Sequence, residues 1–181
     1  MKILQAIKER RSVRAFQARE IPSEAVEALM EALIWAPSAG NLQSRRFYFV
    51  FNQGIKERLA RAALHQNFIA QAPLAIVACA DHHRVVWRYG ERGVTLYCLM
   101  DVAASVQNLL LAAHELGLAT VWVGAFHEEE VRRVLDLPPH LRPVTIVPVG
   151  YPAERPAPPR RVSKEEAIVF VPDVEVGRAV F

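Results

Sequence analysis

The chain has 181 residues, of which 52% are hydrophobic and 23% are charged, and its formal net charge is +3 at neutral pH. This length fits one domain, over residues 1–181, that can bury a substantial core, and the composition is that of an ordinary globular protein rather than a disordered one. The mildly basic balance suits an anionic small ligand and is too weak to indicate nucleic acid, so we predict no nucleic-acid partner.

Hydrophobic periodicity and helix-breaking residues divide the first half of the chain into helices and strands. The clearest helix begins near Ser23, a candidate N-cap, and stops at Pro37. Residues 73–81 are apolar almost throughout, which is typical of a strand covered on both faces. The predicted elements are helices at 2–10 and within 22–38, a strand at 46–52, a helix at 53–66 and the strand at 73–81.

The second half begins with a polar connection and then continues the same alternation. Its longest predicted helix ends at Gly117, which is a suitable C-cap. We expect Trp35 and Trp122 in the core. The order of elements predicts the α+β class, with a mixed central sheet flanked by helices. The predicted segments are the connection at 82–93, a helix at 95–116, a strand at 118–126, a helix at 127–138, a strand at 143–151, an irregular proline-rich stretch at 152–159 and a tail at 164–181.

The most apolar part of the chain, residues 94–126, is interrupted by polar residues. Asp101, Gln107 and His114 would be poorly tolerated in a bilayer, so we predict a buried helix and no membrane partner. The helix at 95–116 is apolar nearly all round, and such a helix needs cover on all sides. One small domain offers limited cover, and the pattern therefore favours a homodimer.

Cys79 and Cys98 each lie in an apolar run, and the chain contains no CxxC pair. We therefore predict buried free thiols, which are typical of a reducing compartment. The N-terminal residues have neither an uninterrupted apolar core nor a small-residue cleavage site, so we expect a cytoplasmic protein. His82 and His83 follow an aspartate, but no third ligand is evident, and no metal site is predicted.

Two stretches at opposite ends of the chain carry clustered cations. The stretch "KERRSVRAF" places Arg10, Arg11 and Arg14 around Ser12, and "PPRR" at 158–161 adds two more arginines. Arginine forms bidentate, charge-assisted hydrogen bonds with phosphate oxygens. These stretches are therefore candidates for binding an anionic ligand.

Two further stretches expose backbone groups. "PSAGNLQSRRF" at 37–47 is a loop rich in turn residues that presents N–H groups and amide side chains. "WVGAF" at 122–126 ends a strand with a glycine that lets a ligand approach the backbone. The chain has no GxGxxG motif after a strand, which disfavours a Rossmann dehydrogenase.

In this order and spacing, these stretches resemble the nitroreductase family of FMN enzymes, and the resemblance spans nearly the whole chain. It implies a nitroreductase-like fold and an intertwined homodimer whose tail, about 162–181, reaches over the partner subunit. It also implies tightly bound FMN, NAD(P)H as a transient reductant, and a ping-pong reduction of a small acceptor such as a nitroaromatic or a quinone. No catalytic side chain is named, because the flavin carries the chemistry.

The resemblance assigns the arginines to parts of the cofactor. Arg10 and Ser12, with Arg160 and Arg161, would hold the phosphate. Arg11 would lie close by, on the ribityl or ring side. At the pyrimidine edge the resemblance places Arg14, where a cation stabilises the anionic reduced flavin and raises its reduction potential.

The resemblance also assigns the surroundings of the ring. The backbone of Val123 and Gly124 would face the ring and its N5 atom. A loop of the partner subunit would reach the same flavin, and its matching residues are Pro37, Ser38, Ala39, Asn41 and Gln43. Some members carry a glutamate where this chain has Val123, and members with longer chains have a lid where this one has only residues 82–93.

Several alternatives stay open at the level of sequence. One of His65, Gln66 and Asn67 is a candidate cofactor contact, and Trp87 and Tyr89 either flank the substrate channel or simply pack. The alternative functions are a flavin-binding module and another flavin enzyme of the same fold without nitroreductase activity, such as a dehalogenase-like enzyme, a flavin-fragmenting enzyme or a heterocycle dehydrogenase.

Overall fold

The computed structural model describes residues 2–171 together with the segments 174–175 and 178–179, and the rest of the predicted tail lies outside the described residues. Its helices are α1 (Ile3–Glu9), α2 (Ser23–Ile34), α3 (Gln53–Ala62), α4 (Phe68–Gln71), α5 (Val86–Arg92), α6 (Cys98–Glu115), α7 (Glu128–Leu135) and α8 (Lys164–Ala167). Its strands are β1 (Arg45–Val50), β2 (Leu74–Asp81), β3 (Ala119–Thr120), β4 (Leu141–Gly150), β5 (Val174–Glu175) and β6 (Arg178–Ala179). The predicted α+β class is confirmed.

The central sheet has the strand order β1-β2-β4-β3, and its neighbouring strands are antiparallel. The predicted mixed sheet is therefore not found among these four strands, and the one parallel pairing beside them in the described chain is an isolated bridge from Ser12 to Thr120 at the edge beyond β3. Every residue of β2 is buried, as its continuous apolar sequence predicts. Alternate residues of β2 face two separate apolar layers, one formed with α2 and α6 and the other with α3, α4 and α7.

The predicted strand at 118–126 is paired only in part. Beyond β3, a single antiparallel bridge joins Val123 to Ile146, in the same register as the β3–β4 pairing. In that register Val121 lies opposite Pro148, which has no backbone N–H to donate. The proline interrupts the ladder, and the regular strand is therefore shorter than the apolar pattern predicts.

The predicted polar connection at 82–93 is wrong, because the segment is helical. A 3-10 turn at His82–Arg84 leads into α5, and a π-helical turn at Gly93–Tyr97 joins α5 to α6. Val85 and Gly93 are buried while most residues between them are exposed. The short helix therefore has too few buried positions to show a helical pattern of hydrophobic residues in the sequence. The helical stretch Val86–Glu115 is long and apolar enough to cross a membrane by length and composition alone, but α6 packs within the core.

Three single-residue predictions are wrong. The helix α2 begins at Ser23, and its cap position falls on Pro22 without a side-chain hydrogen bond. Trp35 is 78% exposed, because it follows α2 on a side that the described residues leave open, and its Nε1–H donates to Glu31 Oε2 at 2.7 Å. Trp122 lies in the unpaired part of its strand and is 37% exposed.

The two cysteines are free and buried, as predicted. Burial raises the pKa of Cys79 to about 12, so its reactive thiolate form is strongly disfavoured. Neither thiol therefore offers a nucleophile to a site.

The predicted C-cap of the long helix is confirmed. Gly117 has φ +72°, and its N–H donates to His114 O at 3.1 Å. The N–H of Leu118 donates to Ala113 O at 2.8 Å. This is the Schellman arrangement, in which a left-handed residue satisfies the last carbonyl groups of a helix.

We predict that Gly117→Ala lowers the free energy of unfolding by about 1 kcal/mol, because a Cβ strains the left-handed conformation. Urea unfolding measures the change. The matched control is Gly54→Ala, where φ is ordinary and the nearest non-neighbouring atom lies 3.5 Å from the added Cβ. This control is expected to be neutral or to stabilise by about 0.5 kcal/mol, and an equal loss in both variants would contradict the cap assignment.

Candidate functional site

The arginines that follow α1 meet the proline-rich linker at one cavity. Arg10, Arg11, Ser12 and Arg14 line it together with Arg161, and its volume is about 360 Å³. We call it the arginine cavity. The structure thus brings together cations from opposite ends of the chain.

Arg160 is placed differently from its neighbour. It is exposed and is not among the residues that line the arginine cavity. Its carbonyl oxygen accepts a hydrogen bond from Arg161 Nη1 at 3.2 Å. Adjacent side chains of an extended segment point to different sides, so the linker directs Arg161 rather than Arg160 at the cavity.

Backbone hydrogen bonds hold the arginine-bearing segment between the sheet edge and the linker. On the sheet side, the N–H of Val13 donates to Thr120 O at 3.1 Å. On the linker side the segment makes several bonds, and these fix the course of the linker toward the cavity. They are Gln17 N–H to Tyr151 O at 2.9 Å, Ala153 N–H to Ala15 O at 2.9 Å, and Arg14 N–H to Glu154 Oε1 at 2.6 Å.

The electrostatics of the arginine cavity favour an anion. Burial lowers the pKa of Arg10, and the positive charges of Arg161 and Arg11 lower it further. Within the part of the chain that the structure describes, no carboxylate forms an ion pair with the arginines of the cavity. A multivalent anion would relieve this repulsion and accept charge-assisted hydrogen bonds.

The open edge of the sheet continues from this cavity toward Gly124. The N–H and C=O of Val123 both bond to Ile146, at 3.0 Å each, so they point inward to β4. Backbone groups alternate along a strand, and Thr120, whose carbonyl bonds to Val13, already faces outward. Residues 122 and 124 therefore also present their N–H groups to the open edge.

This alternation distinguishes the two residues whose backbone was predicted to face the ring. The backbone N–H of Val123 is engaged in the sheet and does not face the open edge. Gly124 is exposed, and its N–H lies on the same edge as the arginine segment. Gly124 is four residues beyond Thr120, which corresponds to about 13 Å of extended chain.

The loop at 37–43 is fixed by two buried charged residues to which the sequence analysis gave no role in the site. The carboxylate of Asp101 accepts hydrogen bonds from Ala39 N–H at 2.9 Å and from Ser44 Oγ at 2.6 Å. Arg45 is 7% exposed, and its guanidinium donates to carbonyl oxygens that include those of Pro37 at 2.9 Å and Ala36 at 2.6 Å. Two sequence signals could have identified them: Asp101 is a charged residue within an apolar helix, and Arg45 is a charged residue at the start of a strand.

The loop also carries backbone conformations that its turn residues permit. Gly40, Asn41 and Gln43 have φ values of +55°, +54° and +51°. The N–H of Gln43 donates to Ser38 Oγ at 3.0 Å. Glycine and asparagine tolerate the left-handed region well, and the side chains of Asn41 and Gln43 are left exposed.

Within one chain, this loop does not meet the arginine cavity. Pro37, Ser38 and Ala39 line a separate cavity of about 300 Å³ beside Asp101. His114, near the other end of α6, lines a cavity that includes Arg10 and Arg11. Asp101 and His114 are 13 residues apart on α6, which is about 20 Å along a helix.

Two of the undecided sequence candidates have identifiable contacts. The side-chain amide of Gln66 donates to Ala125 O at 3.0 Å, so of residues 65–67 it is Gln66 that ties down the segment after Gly124. The hydroxyl of Tyr89 lies against Gly40, where an added Cβ would come within 2.5 Å of it. Tyr89 therefore packs on the loop at 37–43, while Trp87 is 71% exposed.

The histidines after β2 are held by other contacts. His83 stacks on His140 with ring centroids 4.1 Å apart. Burial lowers the pKa of His82, and nearby Arg142 lowers it further. Among the described residues, no group of three or more His, Cys, Asp or Glu side chains could hold a metal ion.

Taken together, the fold and the site define an α+β protein with an arginine-lined cavity at the open edge of its sheet. Residues 7–151 match the model of the nitroreductase family. The chain belongs to this family, which confirms the resemblance found in the sequence and, with it, the oxidoreductase class.

Individual relatives agree with this assignment. The chain is 34% identical over 160 residues to a provisionally named NADH dehydrogenase/NAD(P)H nitroreductase of Methanothermobacter thermautotrophicus, covering 86% of this chain and 80% of that protein. It is 27% identical over 176 residues to the FMN reductase [NAD(P)H] of Bacillus subtilis, covering 90% and 71%. The structure of the NADPH:FMN oxidoreductase from Vibrio harveyi complexed with NAD+ is similar with a TM-score of 0.87 and 25% identity, covering 97% and 79%.

We predict that Asp101→Asn lowers the free energy of unfolding by about 1–3 kcal/mol, because the amide loses the charge that serves two buried donors. Urea unfolding tests this. Asp136→Asn is the matched control, since Asp136 is exposed with φ +49° and asparagine suits that conformation. Equal stability of the two variants would show that Asp101 does not anchor the loop.

Proposed function

We propose that this protein is an FMN-dependent NAD(P)H oxidoreductase that reduces small electron acceptors, nitroaromatics and quinones among them. The observation that carries the proposal is the convergence of Arg10, Arg11 and Arg14 with Arg161 on one cavity at the open sheet edge. Family membership and relatives named as nitroreductases and FMN reductases support it. The two free buried thiols fit a cytoplasmic location.

The donor set of the arginine cavity fits the phosphate of FMN. Arg10, Ser12 and Arg161 would hold the phosphate, and Arg11 would lie near the ribityl chain. A dianion also supplies an ion-pair partner, which the cavity's arginines do not find among the described carboxylates. Arg160 lies one residue away and would contribute long-range attraction rather than a direct contact.

The open edge beyond the cavity fits the ring system. Arg14 would approach the pyrimidine edge, where a guanidinium stabilises negative charge. Val123 shapes the edge from within the sheet, and the N–H of Gly124 would donate to the ring. Bound FMN supplies reversible two-electron chemistry between NAD(P)H and the acceptor, and the protein orients the partners and excludes water.

A second copy of the chain would complete the site. The loop residues Ser38, Asn41 and Gln43 do not line the arginine cavity of their own chain, and we propose that they reach the cofactor of the partner. Exposed apolar side chains on α1, α2 and α6 support such an assembly, since an apolar surface of this extent marks an interface. They include Ile3, Leu4, Ile7, Ile34, Trp35 and Met100.

The proposed function is tested with the purified protein and FMN under anaerobic conditions. We expect a yellow complex that NADH or NADPH bleaches and that a quinone or a nitroaromatic reoxidises. Failure to bind FMN would overturn the proposal. A complex that neither nucleotide bleaches would indicate a flavin-binding module, and reoxidation by a halogenated aromatic alone would indicate the dehalogenase-like alternative.

We predict that Arg10→Ala with Arg161→Ala weakens FMN binding on the order of 100-fold, because two charge-assisted hydrogen bonds to phosphate are lost. Fluorescence titration of the flavin-free protein measures the affinity at low and high salt. Riboflavin, which lacks the phosphate, should bind the native protein and the double variant with equal affinity. The matched control is Arg10→Ala with Arg160→Ala, which should bind FMN more tightly than Arg10→Ala with Arg161→Ala. If the control binds FMN more weakly instead, the phosphate contacts Arg160 rather than Arg161.

We predict that two inactive variants restore activity when mixed. One variant carries Arg10→Ala and Arg161→Ala, and the other carries Asn41→Ala and Gln43→Ala. In a mixed dimer that shares its sites between subunits, one of the two sites contains no substitution. NAD(P)H oxidation should therefore rise after the variants are unfolded and refolded together, whereas no rise would mean that each chain builds its site alone.

A further inference from the structure

One peptide group at the open sheet edge is held unusually firmly. The carbonyl oxygen of Val123 accepts two hydrogen bonds, from Ile146 N–H at 3.0 Å and from Thr145 Oγ1 at 2.9 Å. Thr145 is fully buried in β4, and its hydroxyl is directed at this carbonyl. Both acceptor positions of the Val123 carbonyl are therefore occupied.

The other end of the same peptide group is the N–H of Gly124. In a trans peptide the C=O and the N–H point in opposite directions within one plane. Fixing the Val123 carbonyl toward β4 therefore fixes the Gly124 N–H toward the open edge. Hydrogen bonds in a chain also polarise one another, so the two donors on the carbonyl make this N–H a stronger donor.

We infer that Thr145 is a positioning residue for the ring-facing donor of the site: its hydroxyl, through the Val123 carbonyl, orients and strengthens the Gly124 N–H. This inference rests on the proposed function for the identity of the acceptor, the flavin ring. Thr145 itself is buried in β4, so its influence on the ring passes through the peptide group. A strand position that only needed a buried β-branched side chain would accept valine equally well.

The first arm of the test uses the flavin-free protein. Thr145→Val removes the donor at nearly constant shape, and Thr145→Ser keeps the hydroxyl and removes the methyl group. A hydrogen bond to a carbonyl moves the 15N resonance of the following amide downfield, so Thr145→Val should move the Gly124 resonance upfield. Thr145→Ser should leave it near the native position, and an unmoved Gly124 resonance in Thr145→Val would overturn the inference.

The second arm uses the FMN complex and rapid mixing with NAD(P)H. We expect Thr145→Val to slow flavin reduction by about tenfold, because the ring is less well oriented for hydride transfer. The affinity for FMN should change less than about twofold, since Ser12 of the arginine cavity pairs with Thr120, about 13 Å of extended chain before Gly124. Thr145→Ser should recover most of the rate.

The two arms separate this inference from the proposed function. If the native protein does not bind FMN, the proposed function fails, while the Gly124 resonance still reports whether Thr145 acts on that amide. If Thr145→Ser reduces as slowly as Thr145→Val, keeping the hydroxyl does not preserve the rate, and the positioning role is overturned. Flavin reduction in Thr145→Val at the native rate would also overturn the positioning role of Thr145.

Discussion

The structure depends on how residues 12–17 are held between the sheet edge and the linker. Val13 pairs with Thr120, and Ala15 and Gln17 pair with the segment after β4. The bonds of Ala15 and Gln17 join backbone groups that lie far apart in the sequence, at Ala153 and Tyr151, and so bring the proline-rich linker back to the N-terminal arginines. It is through these bonds that the linker brings Arg161 to the cavity that Arg10 lines.

The same edge explains why the site is extended rather than a single pocket. The arginine cavity occupies one end, and the backbone alternation of residues 120–124 carries outward-facing donors along the edge to Gly124. Pro148 contributes by interrupting the ladder in the middle, since it limits the regular pairing with β4. In the proposed dimer the other wall would come from a loop whose position is set by Asp101 and Arg45. Asp101 lies about 20 Å along α6 from His114, which lines a cavity with Arg10 and Arg11.

Much of the fold could be read from the sequence, because buried strands and amphipathic helices leave periodic patterns. The strand β2 and the cap at Gly117 are examples. Errors arose where a residue's role depends on its tertiary surroundings. Pro148 shortens a strand only through its register, and Trp35 is exposed because nothing in the described chain covers it. For the candidate site, the arginine pattern predicted that cations from both ends of the chain would meet. It could not predict that Arg161 rather than Arg160 lines the cavity, or that Asp101 anchors the loop, because both depend on the three-dimensional structure.

The repulsion among the guanidinium groups of the arginine cavity links ligand occupancy to folding. A ligand that binds only the folded protein raises the protein's melting temperature, and the increase grows with the logarithm of the ligand concentration. On the proposed assignment, any compact dianion would compete for this cavity, inorganic phosphate and sulfate included. The purification buffer would then set both how much FMN the protein retains and how thermally stable its cofactor-free form is.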